Sequence, residues 1–429
     1  MRICLFEDNK TLNLLPLNYL RHTSEIICGA ETLSKKFRNI IPGKIDIDLH
    51  SLAFRKNLVS ENLYGINVNR FENDDYLFLN SRVIFTKKAV HELIDKKDLF
   101  GNSYIVNDNS IIACYVPKDK ISLIGELINT EQNFLNEELL DKAGLKPADS
   151  QTLSFQNIPE LNIINYQFDL IKLLDTELEN DLNRLFKKNK TKRRKTSAVL
   201  INKKDIIISH SANVIPGVVI DASAGKVYIG DDVIIEPFTY IKGPVYIGNN
   251  STIRAGSQLY GPLFIGNNCK TSGEIISSVL MPYVNKQHYG FIGHSYLCSW
   301  VNLGAGTSTS NLKNNYSTVK VLWNNKETDT KSIFLGSIIG DFTKTGINTM
   351  LNTGSIIGIS SNVIGSGFQD KFIRSFRWVL TGRKEHTVYE INKALETAKI
   401  SMERRNKILT GSYKETMQYI FTNRDKLPI

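Results

Sequence analysis

Cysteine is scarce and scattered: Cys4, Cys28, Cys114, Cys269 and Cys298, five in all, with no CxxC pair among them. That odd, dispersed set argues against a disulfide framework or a metal site and reads as reduced, mostly buried thiols. Long apolar runs are missing too, and none approaches the ~18–20 residues that a membrane span requires. The N-terminal MRICLFEDNK carries acidic residues where a secretion signal would need an apolar stretch, so the expected compartment is the cytoplasm. Negative charge is in deficit, with 43 Asp and Glu against 53 Lys and Arg, a formal net charge of +10. Much of the surplus sits in KKNKTKRRK, residues 187–195, where no aromatic residue is interleaved to stack a base. The run reads as a solvated linker, no nucleic-acid partner is expected, and the basic surplus suits anionic small ligands such as sugar phosphates, nucleotides or coenzyme A.

The chain of 429 residues has room for two or three domains. Residues 1–186 read as mixed α/β. ICLF near the start and YLFLNSRVIF (76–85) have strand length and composition, while HELIDKKDLF (91–100) and residues 168–186 carry helical apolar spacing. Residues 187–197 form the basic linker.

From 198 to 370 the texture changes. Ile229, Ile235, Ile241, Ile247, Ile253, Leu259 and Ile265 fall on every sixth position, and Ile333, Ile339, Thr345, Leu351, Ile357 and Val363 form a second run. Glycine follows the beat at 230, 248, 266, 340, 346 and 358. Neither a helix nor a simple strand has period six. A hexapeptide coil does: one short strand and one corner per hexad, three hexads per triangular turn, and coils stacked at ~4.8 Å. The pattern therefore predicts a mixed α/β N-terminal domain, a parallel β-helix of hexapeptide coils over 198–370, and a C-terminal helical segment over 371–429. Residues 387–409 have helical spacing and are expected to cover or flank one end of the coil stack.

Flat prism faces bind small ligands poorly, so a polar cluster here implies grooves between prisms, and a three-sided prism suits a homotrimer. The cluster lies in MPYVNKQHYGFIGHSYL (281–297) and the residues after it, which supply Lys286, His288, His294, Tyr296, Asn302 and Asn311 around GAGT, 304–307. Alone, His294 is as readily an ordinary corner histidine as a catalytic one. Near an amine nucleophile, an imidazole of ordinary pKa ~6.5 serves as a general base.

GHSYLCSWVNLGAGTSTSNLKNNY resembles the acetyltransferase motif of the bifunctional glucosamine-1-phosphate acetyltransferase / N-acetylglucosamine-1-phosphate uridyltransferase family. FLGSIIGDFTKTGINTMLNTGSIIG is similar to archaeal members and to an alternative bacterial branch. The resemblance implies an acetyl-CoA-dependent N-acetyltransferase acting on an amino-sugar phosphate, in the synthesis of UDP-N-acetylglucosamine and envelope sugar nucleotides. It implies His294 as catalytic base with Asn311 orienting the reacting groups, and Tyr296, Asn302, Arg254 and Lys286 on the sugar phosphate. Gly304, Ala305, Gly306, Lys344 and Gly346 fall along acetyl-CoA, and no metal ligand is implied in this half.

LFEDNKTLNLLPLNYLRHTSEIICGAETLSKKF (5–37) is similar to the opening of sugar nucleotidyltransferases, with departures, and the two resemblances together imply an α/β nucleotidyltransferase-like N-terminal domain followed by a left-handed parallel β-helix and a C-terminal helix. EDNKTLN replaces the glycine loop, so Glu7 and Asp8 stand where bare backbone would cradle phosphate. His22 and Thr23 lie near the missing lysine, and Ser81 and Arg82 replace the glycine and the magnesium-binding aspartate. Uridylyl transfer is expected to be weak, altered or lost, with Mg²⁺ and UTP required only if this domain is active, while Arg21 remains a candidate anion ligand. Two alternatives stand beside acetyl transfer: a bifunctional enzyme that also acts as a sugar-1-phosphate nucleotidyltransferase, and a non-catalytic trimeric scaffold.

Overall fold

The computed structural model describes residues 1–95, 103–107, 109–129, 134–148, 161–188, 196–365, 367–380 and 386–429. The N-terminal domain is built on a six-stranded sheet in the order Ile47–His50, Arg2–Phe6, Tyr76–Asn80, Ser110–Val116, Ser103–Asn107, Lys146–Pro147. The first three strands are parallel, Ser110–Val116 runs antiparallel to them, and Ser103–Asn107 pairs antiparallel with it and so returns to the first direction. Alternation along these strands fills two layers. Ile3, Leu5, Leu77 and Leu79 enter one core, while Cys4, Phe6, Tyr76 and Phe78 enter the other. The run expected over 76–85 is two strands, because Val83–Ile84 leaves the sheet to pair with Asn162–Ile163. Helices span Lys87–Asp95, Asp169–Lys172 and Leu174–Lys188. Residues 96–100 of the expected helix and most of the basic run lie outside the described residues.

The prism follows from the hexad beat. Ile229 pairs with Ile247 and Ile247 with Ile265, each three hexads on, and the ladder continues through Leu280, Leu297, Ile339, Ile357 and Ile373. All of them are buried in the prism core. Three parallel faces result. The first is nine-stranded, from Ile206–Ile208 to Phe372–Ile373. The second runs from Asn213–Val214 to Asn285–Lys286 and continues through Asn302 to Lys344–Thr345 and beyond. The third runs from Val199–Ile201 to Phe291–Gly293.

On the first face, the residue before each inward aliphatic points out. Tyr228, Tyr246, Phe264, Val279, Tyr296, Ile338, Ile356 and Phe372 stack coil upon coil. The rings of Tyr228, Tyr246 and Phe264 lie nearly parallel, with centroids 5.1 and 5.2 Å apart. This outward stripe joins the core formed with Leu17, Tyr19, Ile26, Leu174 and Leu178 of the N-terminal domain. Two C-terminal helices, Ile391–Glu403 and Gly411–Asn423, close the same core through Ala394, Ala398, Met402, Met417 and Ile420. The helix expected over 387–409 thus begins later, since Thr387–Val388 pairs as a strand with Arg377–Leu380, and the second helix lies within the helical segment expected over 371–429. Arg21 and Asp341 form a bidentate ion pair across the seam, with the carboxylate buried.

One break in the coil was misplaced from sequence. The chain leaves the third face after Ser308–Thr309 and returns at Ser337–Ile339, carrying an antiparallel hairpin, Lys320–Trp323 with Lys326–Asp329. Ile333 belongs to this excursion and is 41 % exposed, so its place on the six-residue beat is fortuitous. Among the described residues no helix is long and apolar enough to cross a membrane, and all five cysteines are free and buried.

The two kinds of isoleucine respond differently to truncation. Ile265→Ala is expected to cost about 2–5 kcal/mol by opening a cavity in the stack, and Ile333→Ala below about 1 kcal/mol. Denaturant titration of both variants checks this, and equal losses would return Ile333 to the prism.

Candidate active site

His294 occupies the corner where the third face turns into the first, with φ of +47°. Ser277 holds the same corner one coil earlier at φ +47°, so the left-handed backbone belongs to the coil and is not special to the histidine. The excursion folds over this corner. Phe334 stacks on the imidazole with centroids 4.7 Å apart, and the Gly336 amide donates to the His294 carbonyl at 2.9 Å. Asn311 lies at the root of the excursion, its amide nitrogen 2.8 Å from His294 Nδ1. No other side-chain contact among the described residues fixes that amide, so either its oxygen accepts from Nδ1–H or its nitrogen donates to Nδ1. Burial pushes the imidazole pKa down to about 4, which keeps it neutral at neutral pH.

His294 opens onto a cavity of about 190 Å³. Phe334, Leu335, Thr330 and Ser332 of the excursion form one wall, and Phe168, Ile171 and Lys172 of the N-terminal domain form the other. Sequence reasoning missed these neighbours, because contacts between distant elements leave no local pattern.

Asn302 and Lys344 lie elsewhere. They are successive outward rungs of the second face, with Asn285 and Lys270 on the earlier rungs, and they line a second cavity of about 420 Å³. Asn302 accepts a hydrogen bond from the Asn285 amide. Burial lowers the Lys344 pKa to about 8. His294 and Asn311 do not line this cavity, so one chain does not gather the residues read as a single cluster from sequence.

Two expected substrate ligands are corrected outright. Tyr296 is fully buried on the outward stripe of the first face, where its hydroxyl donates to the Ile27 carbonyl and accepts from the Ile27 amide, each at 3.1 Å. Its place beside the inward Leu297 gave it to the domain seam. Lys286 points into the prism, since it pairs in register with the inward Thr271. There it is fully buried, and its ammonium donates to the carbonyls of His288 and Tyr289, the latter at 2.7 Å. Neither reaches a ligand.

Arg254 is half exposed on another coil and pairs with Glu236 at 2.8 Å. The small residues of GAGT are held by their neighbours: a Cβ on Gly304 would strike the carbonyl of Gly346 in the next coil, and Gly306 has φ +74°. Gly346 itself sits beneath Ile364, and Ala305 accepts from the Asn348 amide at 2.7 Å. Close stacking therefore accounts for these glycines without a ligand.

In the N-terminal domain the departed phosphate loop is filled by internal ion pairs. Glu7 is fully buried and accepts from the Thr23 amide (2.8 Å) and hydroxyl (2.7 Å), the Leu52 amide (3.0 Å) and Arg55 (2.6 Å). Burial opposes ionisation of Glu7, but the charges of Arg55 and His22 and these donors outweigh it and hold the pKa well below the usual range. Asp8 is bound by Arg82 Nε at 2.8 Å and by Asn80 at 2.9 Å. Arg21, read as an anion ligand, is committed to Asp341. Both carboxylates are thus taken up by arginine, and neither is free to hold a magnesium ion.

Architecture and site define the class: a nucleotidyltransferase-type domain joined through a shared core to a hexapeptide-repeat prism. Residues 3–190 match the sugar nucleotidyl transferase family, and residues 226–261 match the bacterial transferase hexapeptide (six repeats). A bifunctional protein GlmU of Methanococcus vannielii is 36% identical over 96 residues, 22% of this chain and 22% of that protein. A bifunctional sugar-1-phosphate nucleotidylyltransferase/acetyltransferase of Sulfurisphaera tokodaii is 34% identical over 92 residues, 21% of this chain and 23% of that protein. The matched stretch thus spans less than a quarter of these relatives' length. Among solved structures, a UDP-N-acetylglucosamine acyltransferase from Campylobacter jejuni aligns with a TM-score of 0.27 and 16% identity, over 49% of this chain and 91% of that one.

The Tyr296 correction is testable. Tyr296→Phe should lower the melting temperature by several degrees, because two buried backbone groups of Ile27 lose their partner. KM for any sugar-phosphate acceptor should stay within about twofold. A raised KM at unchanged melting temperature would restore the substrate-binding assignment.

Proposed function

We propose that the chain is an acetyl-CoA-dependent N-acetyltransferase whose acceptor is an amino-sugar phosphate of the glucosamine-1-phosphate kind, serving the synthesis of UDP-N-acetylglucosamine or a related sugar nucleotide. The observation that carries this reading is the His294–Asn311 pair, 2.8 Å apart and opening onto a cavity. The acceptor amine attacks the thioester carbonyl and forms the C–N bond. His294 Nε2 takes the amine proton while the Asn311 amide oxygen holds Nδ1–H, and the C–S bond breaks to release coenzyme A thiolate, which receives that proton.

An imidazole held near 4 is a weak base in the free protein. The acceptor's phosphate supplies the missing negative charge, so base strength rises only when substrate is bound. That arrangement favours the transition state, where the imidazolium forms, over the empty site.

The complete site is assigned to two copies in a homotrimer. His294 and Asn311 would face the acceptor from one copy, with Asn302 and Lys344 on the second face of its neighbour. The separation of the two cavities in one chain favours this arrangement. Uridylyl transfer is not favoured, since Glu7 and Asp8 are held by Arg55 and Arg82.

Wild type should release free thiol from acetyl-CoA with glucosamine-1-phosphate, and His294→Ala should reduce kcat at least ~100-fold. No thiol release with any amino-sugar phosphate would end the acetyltransferase reading. Mixed and re-formed oligomers of His294→Ala and Lys344→Ala chains should recover part of the activity, and no recovery would argue that each copy acts alone. NMR of ¹³C-histidine protein should place the His294 midpoint below ~5.5 when free and raise it when a sugar phosphate binds. A free midpoint at the ordinary ~6.5 would remove the substrate-switched base.

A further inference from the structure

The second cavity is lined by Lys270 and Lys344 from the prism and by Arg404 and Arg405 from the end of the helix Ile391–Glu403. No aspartate or glutamate lines it. Among the described residues none of these four cations has a carboxylate within ion-pair distance, although the chain forms such pairs freely elsewhere, as at Arg254–Glu236 and Lys36–Asp181. Four like charges around one cavity of about 420 Å³ repel one another across a partly desolvated space. The Lys270 pKa is lowered by burial and then by the charges of Arg405, Arg254 and Arg404, which records that repulsion. A cluster of this kind is stabilised by a bound polyanion, and the amides of Asn285, Asn302 and Gln287 on the same wall supply neutral hydrogen bonds.

The wall also says what is not read. Trp300 borders the cavity, but its ring is sandwiched between Tyr283, 4.1 Å away by centroid, and Phe342, 6.0 Å away. Both faces are taken, so no nucleobase stacks on it.

We propose that Lys270, Lys344, Arg404 and Arg405 form a binding site for the pyrophosphate group of a ligand, recognised through its phosphates and not through its base. The prism brings two cations one face deep, the C-terminal helix brings two more across from them, and the site exists only because that helix docks on the prism. Two organic sources carry this chemistry: the adenosine diphosphate end of coenzyme A, and a nucleoside diphosphate sugar. Because Lys344 also belongs to the acyl-transfer site proposed above, the coenzyme A source rests on that reading, whereas binding of inorganic pyrophosphate is tested without it.

Calorimetric titration of the full-length protein with inorganic pyrophosphate tests it. Wild type should bind pyrophosphate, with affinity falling as sodium chloride is raised, and should not bind uridine or adenosine. Arg404→Gln/Arg405→Gln together should weaken binding at least tenfold with the melting temperature held. Lys270→Gln, on the opposite wall, should weaken it as well and decides the matter if the arginine pair fails to fold. Absence of pyrophosphate binding in wild type, or equal affinity in the folded variants, overturns the proposal. Displacement of bound pyrophosphate by coenzyme A, by UDP-N-acetylglucosamine or by both names the source, and displacement by neither overturns the proposal.

Discussion

A stack of parallel coils obeys one constraint from which the rest of this molecule follows: each position lies directly over its counterpart in the coils above and below. A choice made once on a face is repeated as a ladder, and the ladder sets what that face can do. Pointing inward, the ladder from Ile229 to Ile373 makes a dry core. One residue earlier and pointing outward, the ladder from Tyr228 to Phe372 makes an apolar stripe as long as the prism, which only another domain can cover. On the second face the outward ladder is Lys270, Asn285, Asn302 and Lys344, and it makes a polar wall. At the corner between the third and first faces, the left-handed position passes from Ser277 to His294. Core, seam, polar wall and the His294 corner differ only in which rung of the hexad they occupy.

Among its described residues, the N-terminal domain buries charge only in pairs. Buried charges are costly unless paired. Glu7, Asp8, Arg55 and Arg82 are all buried and all paired among themselves. These pairs stabilise the sheet's end where a phosphate loop would open in an active nucleotidyltransferase, and Arg21 extends the same logic across the seam to Asp341. Charge here holds the fold and docks one domain on the other.

Legibility followed the same rungs. The inward beats at Ile247 or Leu259 could be read because period six belongs to no other regular structure. Ile333 deceived because counting by six cannot detect that the chain has left the stack, and the hairpin at 320–329 carries its own unrelated spacing. His294 and Asn311 were found through the motif around them, and the fold brings them into hydrogen-bonding distance. Tyr296 and Lys286 went wrong by one rung each. A tyrosine beside a histidine and a lysine near an asparagine suggest a ligand, whereas register shows one facing a domain and the other facing the core. Register also held an unused signal. Counting back coil by coil from Lys344 through Asn302 and Asn285 arrives at Lys270, while Arg404 and Arg405 meet that wall only by docking and leave no trace in local sequence.

The cavity at His294 has one wall from the excursion and one from Phe168, Ile171 and Lys172. Those three residues belong to the N-terminal half of the chain, far in sequence from the excursion. A substitution at these positions in either half of the chain therefore reshapes the same cavity, so the two halves cannot vary independently there.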